Sequence, residues 1–204
     1  MSKQLTKFDT IEEYNSEKYF IDYPNVSKVN GSMIYTQSMP TDYAVKWIGA
    51  AGKVLGISPC AATASRPSGV SDYQVYGIEW GNCNTLTTLG ESFFGQLRLD
   101  VTSVTVKEGI TTIGRFFTYS SDGLASVTFP STLTTLGGYT FNGCNSLTSL
   151  TVLATTPPTL DGPLANPALS GLNIYVPADS VEAYKAASYW SDYADRISAI
   201  QNNV

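Results

Sequence analysis

The chain has 204 residues, 43% hydrophobic and only 14% charged, with a formal net charge of -5 and no histidine. That is enough chain for one medium domain or two small ones, with serine, threonine and asparagine covering much of the surface. Lack of histidine removes the commonest general base, the Ser-His and Cys-His nucleophile pairs and most zinc sites, and the acidic balance lacks the basic face with which a nucleic-acid binder displaces counterions. The opening MSKQLTKFDT has no apolar core of the kind a secretory signal carries, and no stretch approaches the roughly 18 to 20 apolar residues of a membrane span. Thr10-Ile11-Glu12-Glu13 is a capping-box pattern that predicts a short helix from Ile11 to Tyr19, ended before Pro24. Val26–Val29 and Met33–Tyr35 flank Asn30-Gly31, a hairpin signal. Residues 1–40 therefore read as a helix plus a β-hairpin, either a cap for the rest of the chain or an attachment segment for a larger assembly. Residues 41–74 read as an irregular β/loop connector, with a strand at Val45–Ile48 and a surface loop from Ile57 to Gly69 in which Cys60 is incidental.

Residues 75–177 carry a repeat. Val101-x-x-Val104-x-Val106 recurs as Leu124-x-x-Val127-x-Phe129 and again as Leu147-x-x-Leu150-x-Val152, 23 residues apart each time. Ile110-x-x-Ile113-Gly114 recurs as Leu133-x-x-Leu136-Gly137 at the same offset, and Leu86-x-x-Leu89-Gly90 stands 24 earlier. Val75-x-x-Ile78-x-Trp80 reads as a weaker fourth strand of the set. Two apolar residues alternating with a threonine is strand spacing, and a turn that cannot bury its apolar face alone must stack on its neighbours. The prediction is a mainly β, short solenoid of four turns, about 15 to 20 Å long. The glycines let the backbone turn where a side chain would clash, and Phe93, Phe94, Phe116, Phe117, Tyr139 and Phe141 fit a short second layer. Asn173–Val176 reads as the last strand, stopped by Pro177. Residues 178–204 read as a helical cap opened by a capping box at Asp179-x-x-Glu182. Val181, Tyr184, Ala187 and, after a kink, Trp190, Tyr193, Ile197 and Ile200 are spaced to put apolar groups on one side, so Trp190 is a core plug.

Chemistry is sparse. The sequence has no G-x-S-x-G, P-loop, G-x-G-x-x-G or H-E-x-x-H. Cys60, Cys83 and Cys144 stand far apart without CxxC spacing, which speaks against a disulfide framework and against a metal site; Cys144 reads as a small buried residue of the ladder. A carboxylate pair, as in glycoside hydrolysis, is the one enzymatic route open. Glu79, Glu91, Asp100, Glu108, Asp122 and Asp161 qualify by residue type, but no spacing singles out two of them. The expectation is a non-catalytic chain without cofactor or metal. Between Ile110 and Ala178 the only charged residues are Arg115, Asp122 and Asp161. A surface of hydroxyls and aromatics with so little charge suits contact with protein or glycan. Arg115, Phe116, Tyr119 and Tyr139, beside the glycine turns, are the candidates; for Phe116, packing in the core is the plainer alternative.

The strings IGRFF, LGGYTFNGCNSLTSLTV, ATTPPTL and NIYVPADSVEAYKAASYWSDYADRISAI resemble the end of BspA-like leucine-rich-repeat proteins, from about residue 86 to 200. Thr118 stands where that pattern has phenylalanine, and Ser121-Asp122-Gly123 where it has its Gly-Cys. The resemblance implies a leucine-rich-repeat solenoid and a role in surface adhesion or protein binding. The string TKFDTIEEYNSEKYFIDYPNVSKVNGSMIY loosely resembles the opening of virion proteins of phages that infect gut bacteria. Together the two resemblances imply a capsid- or tail-attached virion protein. Residues 1–40 would contact other virion proteins, the repeats would face a protein or glycan on the host surface, and the whole would form a symmetric oligomer such as a trimer. The alternatives are a secreted bacterial surface adhesin and a small carbohydrate-active domain.

Overall fold

A segment whose alternate residues are apolar and hydroxylic makes one wall of a core, and the repeat supplies such walls in pairs. The computed structural model describes residues 26–29, 32–35, 43–48, 54–66, 75, 77–97, 101–165 and 168–201. The first element is a hairpin of β1 (Val26–Val29) and β2 (Ser32–Tyr35), with Val26 opposite Tyr35 and Val29 opposite Ser32, where Asn30-Gly31 predicts one. The helix expected over 11–19 lies outside the described residues. Next come β3 (Tyr43–Ile48), β4 (Val54–Pro59), β5 (Thr63–Ala64) and β6 (Gly77–Trp80). Strand β3 is the middle of an antiparallel sheet ordered β4-β3-β6.

Beyond it the chain alternates between two parallel sheets. Short two-residue strands β7 (Thr88–Leu89), β9 (Thr112–Ile113), β11 (Thr135–Leu136) and β13 (Thr159–Leu160) continue from β5 as one sheet. Longer strands β8 (Ser103–Thr105), β10 (Ser126–Phe129), β12 (Ser149–Val152) and β14 (Asn173–Val176) form the other, which β15 (Ile197–Ala199) completes. Each coil therefore runs long strand, tight turn, short strand, corner, and back to the next long strand. This is the leucine-rich-repeat solenoid, with five rungs in each sheet among the described residues rather than four turns. Val104, Val127, Leu150 and Ile174 form one buried column in register. Leu89, Ile113, Leu136 and Leu160 form another on the short strands. Phe93, Phe117 and Phe141 fill the space toward the corner, Phe93 stacking 6.3 Å from Phe117. Gly137 closes the short strand where the coils come nearest. A Cβ there would lie 2.3 Å from the backbone nitrogen of Arg115 in the coil before, and Gly114 stands in the equivalent place. The demand on these glycines is close approach between coils, not an unusual turn.

Both ends of the stack are closed by tryptophan. Trp47, on β3, is fully buried with its ring 4.9 Å from Phe93 and 5.7 Å from Phe94. Its indole N–H donates to Ser58 Oγ, which donates in turn to the carbonyl of Ser65. At the other end Trp190 lies against Tyr184, 5.1 Å between rings, and donates to the carbonyl of Pro158 at 2.9 Å. An exposed last rung would leave an apolar cross-section in water, and these caps cover it.

Four expectations change. Val75–Trp80 is not a rung of the solenoid: β6 runs antiparallel to β3 instead of parallel to β8, because β3 competes for its edge. The loop expected over 57–69 holds the end of β4 and all of β5, which is already the first rung of the short-strand sheet. The C-terminal cap is less helical than the pattern implies. A single turn of 3-10 helix (Ala178–Ser180) leads into helix α1 (Val181–Ala186), a second 3-10 stretch covers Ser191–Arg196, and the chain then returns to the sheet as β15. Asp179 does not cap the helix: Ser180 holds that position, and its hydroxyl donates to the carbonyl of Thr155. The fourth change concerns Cys60, which forms a disulfide with Cys83, Cα atoms 5.2 Å apart and 23 residues apart in sequence. That interval is one repeat. Cys60 precedes β5 and Cys83 precedes β7, and because these strands are adjacent rungs their lead-ins lie side by side. With β5 unrecognised as a rung, the pairing had no visible cause. Cys144 is a buried free thiol, as expected. It donates to the carbonyl of Thr118, and burial pushes its pKa up.

Candidate recognition surface

The corner after each short strand bends through residues in the left-handed region, repeated coil by coil. Ser92, Phe116 and Tyr139 have φ of 53°, 58° and 57°; Gln96 and Ser120, four residues on, have 54° and 53°. For side chains other than glycine this conformation costs roughly 1 to 2 kcal/mol. Phe116 and Tyr139 accept it while remaining half-buried, whereas Phe117 and Phe141 next to them point inward and are fully buried. Phe116 is therefore a surface ring, and the core-packing alternative applies to Phe117.

The corner brings the four candidates together. The Phe116 ring stacks on Tyr139 in the next coil, 5.7 Å between centroids and 14° between planes, and meets Tyr119 edge-on at 6.1 Å. Tyr119 Oη accepts from Gln96 Nε2 at 2.9 Å. Its ring lies against Gly95, where a Cβ would come 2.9 Å from the ring. Beside Gly95, Arg66 donates to the Gly95 carbonyl at 2.9 Å, and burial pulls its guanidinium pKa down. At the other end Arg115 is exposed and reaches two coils on to Asp161, Nε to Oδ2 at 2.8 Å. Arg115 holds the Asp161 carboxyl below its ordinary range, with the backbone N–H of Gly138 assisting, and Asp161 raises the guanidinium in return. The result is one strip of three rings with an ion pair at one end and a half-buried arginine at the other.

Arg66, Gln96 and Asp161 join the strip without having been singled out for it. Asp161 follows Arg115 by two periods and Gln96 precedes Tyr119 by one, so phasing the repeat carries the signal for both. Arg66 precedes the recognisable repeats and has no such signal. The other carboxylates serve the ladder or the surface. Glu79 pairs with Lys46 at 2.9 Å and accepts from Tyr43. Glu108 takes the N–H and hydroxyl of Ser131, and Asp122 accepts from Asn145 one coil on. Glu91 is exposed, and Asp100 lies outside the described residues. Among the described residues no group of three or more cysteine, aspartate or glutamate side chains is placed to hold a metal ion, and no helix is long and apolar enough to cross a membrane.

Stacked parallel rungs of Leu-x-x-Leu-x-Leu type around a filled core define a leucine-rich-repeat module, and such modules bind proteins or glycans. The family model for BspA type leucine-rich repeat regions matches residues 78–174 in six copies. The solenoid of this chain is a BspA-type leucine-rich-repeat region, a non-catalytic repeat class typical of surface and secreted proteins. No curated protein matches the chain.

Proposed function

We propose that this protein is a non-catalytic recognition module that uses the Arg115–Phe116–Tyr119–Tyr139 strip to hold a partner on a host-cell surface. The observation that carries the reading is the pair of half-exposed, stacked rings kept in left-handed backbone beside the Arg115–Asp161 ion pair. Backbone strain of this kind persists where the surrounding structure over-determines it and clusters at functional positions. Aromatic rings and arginine are also the side chains that dominate binding energy at protein interfaces. In this reading the chain is a virion component, with residues 1–40 attached to other virion proteins and the solenoid directed outward, in a symmetric oligomer.

A secreted bacterial adhesin is the second reading, and the Cys60–Cys83 disulfide favours it, since such bonds persist in oxidising surroundings. Both readings share the strip. Purified protein should label host cells, and Arg115→Ala with Tyr139→Ala should remove the labelling while leaving the circular dichroism spectrum unchanged. Equal labelling by the variant would overturn the role of the strip. Copurification with intact particles supports the virion reading; recovery from the cell envelope of a particle-free culture supports the adhesin.

A further inference from the structure

Resting on the recognition role proposed for the aromatic strip, we infer that the Cys60–Cys83 bond is its redox clasp. With the bond closed the strip is held in its binding arrangement; with the bond reduced its N-terminal end comes apart. Clasp and strip are joined by a continuous set of contacts. Two residues after Cys60, the carbonyl of Ala62 accepts from the N–H groups of Thr87 and Thr88 at 3.0 and 2.9 Å, and that of Ala64 accepts from Gly90 at 2.8 Å. Two residues further on, Arg66 donates to the carbonyl of Gly95 at 2.9 Å. The Tyr119 ring lies against Gly95, and Gln96 holds Tyr119 through its backbone N–H to the carbonyl at 2.7 Å and through Nε2 to Oη at 2.9 Å. Tyr119 in turn meets Phe116 edge-on, and Phe116 stacks on Tyr139.

Packing seats the first rung weakly. Among the described residues β5 has a neighbouring strand on one side only, β7. Pro59 to Thr63 are exposed and Ala64 buries a single methyl group, whereas the later short strands each bury a leucine or isoleucine. The backbone bonds to Ala62 and Ala64 therefore hold a short, exposed segment, the kind that opens locally while the rest of a structure stays closed. The disulfide fixes this segment two residues before Ala62 and keeps both carbonyls within reach of β7. Cutting it returns the chain freedom that closing a loop of 23 residues removes.

The bond is also placed to be reached. Cys60 is exposed while Cys83 is buried, so a thiolate from solvent attacks the outer sulfur and Cys83 is the leaving group. The hydroxyl of Thr85, 3.3 Å from Cys83 Sγ, is in place to donate to the departing thiolate, which then takes a proton from water. With a dithiol as reductant, its second sulfur displaces Cys60 in the same way. Two electrons and two protons pass to the cysteines, and the dithiol ends as its own disulfide. A low-molecular-weight disulfide runs the exchange backwards and is itself reduced to two thiols. Cys144 is buried and stays a thiol throughout. Cell interiors keep such bonds reduced and extracellular surroundings keep them closed. The strip is thus unassembled inside the cell that makes the chain and assembled outside it, where a partner is to be met.

The test follows the full-length protein oxidised, reduced with dithiothreitol, and as the Cys60→Ser/Cys83→Ser variant, below the melting transition of each. Hydrogen exchange is read by mass spectrometry and binding by the labelling of host cells. Reduction should speed hydrogen exchange about tenfold at Thr87, Thr88, Gly90 and Gln96, leave Ser126–Val152 unchanged, and weaken labelling about tenfold. Glutathione disulfide should restore both, and the variant should behave as reduced protein with or without it. Arg66→Met, which keeps the stem and loses the donor, should weaken labelling by the oxidised protein. Hydrogen exchange at Thr87–Gln96 that is indifferent to reduction, or that rises equally through Ser126–Val152, overturns the clasp. Equal labelling by oxidised and reduced protein overturns it too, and if Arg115→Ala with Tyr139→Ala still removes that labelling, the proposed function stands without it. Labelling absent from the oxidised protein overturns both.

Discussion

Reduction of the Cys60–Cys83 bond tests how the N-terminal sheet is held to the solenoid. The bond ties the end of β4 to the segment just after β6, and these are the two strands flanking β3, which carries the Trp47 plug. It closes a loop of 23 residues, and the chain-entropy relation assigns such a loop about 3 kcal/mol of stabilisation through the unfolded state. For a chain of this length each kcal/mol moves the melting temperature by roughly 2 to 4 °C, so reduction should lower it by roughly 6 to 12 °C. The assay is thermal unfolding followed by circular dichroism, with and without reductant, beside the Cys60→Ser/Cys83→Ser double variant. A thiol reagent applied to the denatured protein should find one thiol before reduction, that of Cys144, and three after it. Three thiols before reduction would refute the bond. A melting temperature indifferent to reductant, with one thiol found beforehand, would refute its role in holding the cap.

Gly137→Ala should cost about 1 to 3 kcal/mol in urea unfolding, since its Cβ would meet the Arg115 and Gly114 backbone at 2.3 to 2.6 Å and neighbouring coils must part to admit it. Trp190→Ala should cost about 3 to 5 kcal/mol, by the cavity it opens beside Tyr184 and the loss of its bond to Pro158; a loss under about 1 kcal/mol would show that the plug is dispensable. Stability should also fall above about pH 10. Burial raises the Tyr184 pKa, so the unfolded chain releases this proton first and the contribution, complete below the unfolded value, is lost as pH climbs toward the folded one. Tyr184→Phe should flatten that alkaline decline in denaturant titrations at stepped pH, and an unchanged slope would exclude Tyr184 as its source.

Legibility in this chain comes from repetition. Wherever the 23-residue period runs clean, as from Val101 to Val152, spacing alone places the strands, their inward faces and the glycine approach, because each coil states the same constraint again. Where a position occurs once, the constraint is invisible. Nothing in Thr63-Ala64 distinguishes a two-residue rung from a loop, and its identity rests on β7 lying beside it. Cys60 becomes meaningful only with that rung. Gly77–Trp80 has the spacing of a rung but joins β3, since a strand pattern names a face to bury and not the edge that will accept it. The candidate strip is half legible for the same reason: Arg115, Phe116, Tyr119 and Tyr139 lie within phased repeats, while Arg66 enters through the unphased N-terminal part. The threonines mark the limit most clearly. Thr134 and Thr135 are neighbours in sequence, yet the first binds the preceding coil through its hydroxyl and the second stands in the outer column of the short-strand sheet with Thr112 and Thr159. Composition announces a hydroxyl-rich surface, but only register separates the hydroxyls that hold coils together from those left on the outer face.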